Sequence, residues 1–123
     1  MLNVRIKSQA AAVMLLAALA GCSANQPVTY AGDLTPTAGT CDPPARAVLI
    51  RRGHYVQFTP RQGVLILDGQ VAPGGRISAE ADRPGADGKP YRLLLQAALA
   101  GPAITGSYVT PRCRYAVKLA ESP

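Results

Sequence analysis

From Arg46 onward the chain is interrupted every eight to twelve residues by glycine, proline or a short polar cluster, and this spacing limits each regular element to a few residues. Helices need longer uninterrupted stretches, so the punctuation points to a meander of short strands. The segments between breaks are 46–51, 54–59, 63–71, 75–81, 91–99, 103–109 and 112–119. In the last of them Cys113, Tyr115, Val117 and Leu119 alternate with Arg114, Ala116 and Lys118, the period of two that buries one face of a strand. Val56 and Phe58 alternate with Tyr55 and Gln57 in the same way, as do Ile77, Ala79 and Ala81 with Arg76, Ser78 and Glu80. Val64-Leu65-Ile66-Leu67 is continuously apolar and suits a central strand buried on both faces. Leu93 to Leu99 has both strand and helix character, because Leu, Gln and Ala are good helix formers.

The breaks carry matching turn chemistry. Pro60-Arg61-Gln62-Gly63 has a φ-fixing proline early and a permissive glycine last, and Pro73-Gly74-Gly75 offers a tight hairpin. Asp82 to Pro90 reads as a polar loop, and Gly101-Pro102 ends the segment before it. The expected fold is therefore mainly β: a small antiparallel meander of about six or seven short strands, forming one sheet or a partly closed barrel.

The N-terminus is of another kind. Arg5 and Lys7 precede an unbroken apolar run from Ala10 to Ala20, with no acidic residue before it. That run suits the core of a secretory signal peptide and is shorter than the roughly 17–25 residues of a membrane-spanning helix. It ends in Leu19-Ala20-Gly21-Cys22, which resembles the lipobox of bacterial lipoproteins. The resemblance covers residues 1–23 alone. It implies recognition of Leu19, Ala20 and Gly21 by a signal peptidase, cleavage before Cys22, and a diacylglycerol on the Cys22 sulfur, with palmitate or a similar chain added on the new amino group. Two or three acyl chains hold a protein stably on a membrane, where one holds it only marginally. In the enterobacterial sorting rule, Ser23 after the cysteine implies transfer to the outer membrane, facing the periplasm.

On that reading the chain divides into a signal peptide (1–21), a lipidated flexible tether (22–44) and a small β-domain (45–120). The tether is expected from its Ser, Asn, Thr, Gly and four prolines, Pro27, Pro36, Pro43 and Pro44. With Cys22 committed to lipid, Cys41 and Cys113 remain. An even remainder in an oxidising compartment predicts one structural disulfide, a useful staple for a domain with no Trp and one Phe.

Catalytic chemistry is hard to assemble from these residues. His54 is the one histidine and sits beside Arg51 and Arg52 at an expected turn, where an exposed side chain is the simpler reading. Asp82 and Asp87 bracket a glycine-containing loop but lack the alternating ligand spacing of an EF-hand. No phosphate-binding glycine loop follows a strand and opens a helix. No enzyme activity, catalytic residue, metal or cofactor is expected. The formal charge of +6 falls to +4 once Arg5 and Lys7 leave with the signal peptide. Arg112, Arg114 and Lys118 form the one suggestive cluster, a candidate face for an anionic envelope polymer or an envelope protein. Nucleic acid is disfavoured, because export removes the chain from it and no aromatic residues are interleaved for stacking. Two functions fit: a non-catalytic binding or structural accessory held on the membrane by lipid, or an inhibitor of a periplasmic hydrolase.

Overall fold

Alternating burial organises the whole described chain. The computed structural model describes residues 26–61 and 65–123; the lipobox and Cys22 lie outside them. Within them run eight strands: β1 (Val28–Gly39), β2 (Arg46–Arg52), β3 (Tyr55–Thr59), β4 (Leu67–Val71), β5 (Arg76–Pro84), β6 (Pro90–Ala100), β7 (Ala103–Val109) and β8 (Cys113–Glu121). Each pairs antiparallel with its neighbour in sequence, and β1 also pairs with β8, so the sheet closes into an up-and-down barrel. The disulfide joins Cys41 to Cys113, as the cysteine count predicts.

Every second residue points inward. Leu49, Phe58, Leu67, Leu95 and Ile104 are fully buried, and Ile77, Val117 and Leu119 nearly so, which fills the middle of the barrel with side chains. The outer wall carries Arg46, Gln57, Asp68, Glu80, Gln96 and Lys118, all exposed. Apolar inside and charged outside is the reverse of a barrel whose strands cross a membrane. On this wall Arg92 pairs with Asp82 (3.0 Å) and Glu80 (3.5 Å) across β5 and β6. The two carboxylates raise the affinity of the guanidinium for its proton, the hydrogen bond to Asp82 contributing most.

Four places are informative, and at three of them the structure differs from the sequence reading. The first is the tether: 28–39 is not a flexible linker but β1, whose inward Tyr30 and Leu34 are 3% and 4% exposed. Pro36 sits beside a bulge in the β1–β8 pairing, where a residue without an N–H is tolerated, and the Thr37 hydroxyl donates to the Arg114 carbonyl there (3.0 Å). The second is the apolar run 64–67. Val64 lies outside the described residues; of the other three only Leu67 joins a strand, and Ile66 is 53% exposed, so the described part of the run is not buried on both faces. The third is Leu93 to Leu99, where the strand reading of segment 91–99 agrees with the structure: it lies wholly in β6, and pairing on both sides overrides its helix propensity. The fourth is the expected 82–90 loop, which shrinks to 85–89 because β5 and β6 pair as far as Pro84 and Pro90. One missed strand accounts for the count of eight rather than six or seven.

Closure at this size needs strands that approach one another tightly. Gly32 on β1, Gly69 on β4 and Gly106 on β7 occupy inward positions, and each faces an alanine on an adjacent strand: Ala47 on β2, Ala79 on β5 and Ala97 on β6. A Cβ on Gly69 would run into the Ser78 carbonyl oxygen, and one on Gly106 into that of Gln96. These glycines let the sheet coil where a side chain would hold neighbouring strands apart. Gly106→Ala should therefore lower stability by about 1–3 kcal/mol, read as a lower urea midpoint, and Gly69→Ala should do the same. Midpoints equal to the parent's in both variants would show that the glycines are not needed for closure.

Candidate functional site

An even number of antiparallel strands sorts the connections between two ends. The turns after β2, β4 and β6 share one end with the start of β1 and the end of β8. The described residues of the connections after β1, β3, β5 and β7 (40–45, 60–61 with 65–66, 85–89 and 110–112) gather at the other. Around them opens a cavity of about 790 Å³, within the usual range for a small-molecule site.

The rim is held by local chemistry. The disulfide fastens the β1–β2 connection to the start of β8, and beside it Thr40 N–H donates to the Arg112 carbonyl (2.8 Å). The Thr110 hydroxyl accepts from Cys113 N–H (3.0 Å) and closes the β7–β8 turn. Arg61 reaches across from the β3–β4 connection and donates to the Pro43 carbonyl (2.6 Å). In the β5–β6 turn, Gly85 N–H donates to the Lys89 carbonyl and the Asp87 carboxylate accepts from Lys89 N–H. The β1–β2, β3–β4 and β7–β8 connections are thus tied to one another and the β5–β6 turn is braced within itself, which lowers the ordering cost of binding.

The floor is aromatic and aliphatic. Phe58, Tyr108 and Tyr115 form a short ladder: Phe58 meets Tyr108 edge-on at 5.5 Å, and Tyr108 stacks on Tyr115 at 5.8 Å. Tyr108, Tyr115, Leu34 and Leu93 line the cavity from below, and Tyr91 stands at its edge, 37% exposed. Burial, with smaller contributions from Tyr115, Tyr91 and Asp42, pushes the Tyr108 phenol up to about 12, so the hydroxyl stays a proton donor at any physiological pH.

The residues singled out from the sequence are distributed differently. Arg114 and Lys118 lie on the outer face of β8, whereas Arg112 precedes the strand and lines the mouth, so the proposed cationic face is divided. His54 is exposed in the β2–β3 turn at the far end, with Arg51 and Arg52. The Asp82 carboxylate accepts from Arg92 and that of Asp87 from its own turn, rather than both turning toward a shared ion. Among the described residues no three His, Cys, Asp or Glu side chains converge. Sequence reasoning missed Tyr91, Tyr108, Asp42, Arg61 and Lys89. Tyr108 alone had a visible signal, since it shares the inward parity of Ile104 in segment 103–109. Comparison with protein-family models, curated proteins and solved structures finds no match to this chain.

Two predictions follow from the braced mouth. Cys41→Ala or Cys113→Ala should lower unfolding free energy by about 2–4 kcal/mol, the span expected for a bridge closing a loop of this length, and the double variant should lose no more than either single one. Parent-like melting under oxidising conditions would contradict this. The second concerns pH. A phenol that ionises near 10 unfolded and about 12 folded keeps its proton longer in the native state, so stability should fall as pH rises from 10 to 12. Tyr108→Phe should flatten that decline in melting temperature; an unchanged slope would assign it to other groups.

Proposed function

We propose that this protein is a non-catalytic binding module of the cell envelope, anchored by lipid on Cys22, with the mouth of the barrel as its binding site. The observation that carries the reading is polar separation of the two ends. β1 begins at Val28 on the end opposite the mouth. Six residue steps separate Cys22 from Val28, a reach of about 20–22 Å when fully extended. An acyl anchor at Cys22 would hold the far end of the barrel close to the bilayer and leave the mouth facing away. Ser23 favours the outer membrane, with the barrel in the periplasm. A concave surface where, among the described residues, no acid, base and nucleophile converge suits recognition rather than turnover.

A second reading, inhibition of a periplasmic hydrolase, draws support from the exposed rings and chains at the mouth. Tyr91 and Ile66 offer apolar surface that an enzyme cleft could cover.

Both readings meet in one set of measurements. Labelled palmitate should enter the parent and not Cys22→Ser. Crosslinking from the mouth, at a photoreactive group replacing Ala86, should capture a specific envelope component that a group replacing His54 at the far end does not. Identical capture profiles from the two ends would remove the mouth from consideration. Inhibition of lysozyme or a periplasmic protease at stoichiometric amounts would select the second reading.

A further inference from the structure

Three features of the mouth narrow the chemistry of what it holds. The first is depth. Leu49, Phe58, Leu67, Leu95 and Ile104 close off the barrel beneath it, each with no exposed surface. The cavity is a bowl without a tunnel, so a long alkyl chain has nowhere to thread. Its occupant is short and broad.

The second feature is a pair of hydroxyls that no described residue engages. Tyr108 and Tyr115 are 4% and 6% exposed and line the cavity. Neither phenol oxygen has a hydrogen-bond partner among the described residues, yet no side-chain oxygen there is both fully buried and unpaired. Both oxygens therefore keep access to the cavity. A nearly buried hydroxyl with no protein partner is costly unless solvent or a ligand satisfies it, so the floor presents two polar contacts set in an apolar surface.

The third feature is the sign of the rim. Arg61, Lys89 and Arg112 stand around the opening together with Asp42 and Asp87. An anion meets two carboxylates there and a cation meets three basic groups. A neutral molecule rich in hydroxyls uses both kinds, because each hydroxyl donates once and accepts twice. Tyr91 adds a half-open ring at the edge, fit to cover an apolar face.

We infer that the barrel mouth binds a short neutral saccharide, one or two pyranose rings, with the C–H faces against Tyr91 and the tyrosine floor and the hydroxyls shared among Tyr108, Tyr115 and the mixed-charge rim. This rests on the mouth being the binding site. A pyranose ring is amphipathic in the required sense, apolar on its faces and hydroxylated around its edge. Its breadth matches an open bowl better than a fatty acid or a peptide helix does.

The test titrates the full chain, in a zwitterionic detergent, with N,N′-diacetylchitobiose and with cellobiose, followed by amide NMR shifts. Decanoate serves as the amphiphilic comparison. Saturable shifts at the mouth are expected for at least one disaccharide, with a Kd of about 0.1–1 mM. Tyr108→Phe keeps the ring and removes one donor, and should weaken binding about fivefold. Tyr91→Ala, on the exposed rim, should also weaken it without changing the melting temperature, and Tyr55→Ala at the far end should leave it alone. Absence of saturation by about 20 mM for both sugars, or equal affinity in the parent, Tyr108→Phe and Tyr91→Ala, overturns the inference. Decanoate binding without sugar binding overturns the saccharide class while leaving the mouth as a site. Identical crosslinking from both ends would instead remove the site itself.

Discussion

The pairing of β1 with β8 is the constraint on which everything else in this structure depends. Without it, β1 and β8 would be open edges of a curved sheet, each exposing a row of unpaired backbone groups. With it, the inward residues of eight short strands enclose a single aliphatic core, even though the chain has no tryptophan and one phenylalanine. Closure also creates the mouth, since a wall that meets itself must have two ends. The four connections at one end are then forced into proximity regardless of their own sequence preferences. The Gly–Ala pairs serve this pairing by letting the wall coil, and the bulge beside Pro36 adjusts the last contact between first and last strand.

The fold was legible where side chains alternate and unreadable where composition misleads. β8 announced itself because Cys113, Tyr115, Val117 and Leu119 have no competing interpretation, and β7 was placed residue for residue. β1 was missed because Gly32 and Pro36 look like linker residues. In the barrel, the first marks a close approach and the second sits at a bulge, and both properties exist only once β8 lies alongside. The same logic explains Ile66: an apolar run invites burial, but the strand begins one residue later and leaves that side chain in solvent.

The candidate site was far less legible, for a physical reason. Its residues come from four separate connections and from the mouth ends of the strands, and what they share is an end of the barrel rather than any spacing in sequence. Only barrel topology brings Asp42, Arg61, Lys89 and Arg112 to one rim. Charge clustering along the chain pointed instead to Arg112, Arg114 and Lys118, but Arg112 precedes β8 and joins the mouth while the other two stay on the outer face of the strand. The tyrosine ladder has a similar origin. Tyr108 and Tyr115 are directly opposite in the β7–β8 pairing, so their stacking follows from register.

The disulfide has a further meaning for how the chain reaches this state. Seven of the eight strand pairings join neighbours in sequence and can form as successive hairpins. The eighth joins the two ends, and bringing them together demands the largest loss of chain freedom. Cys41 lies just past β1 and Cys113 opens β8, so the bridge ties together the strands that this last step must unite. Once the thiols are oxidised, the most distant pairing in the molecule becomes a short-range one. A reducing environment leaves ring closure to diffusion alone, and an oxidising one makes assembly of the barrel inseparable from its own cross-link.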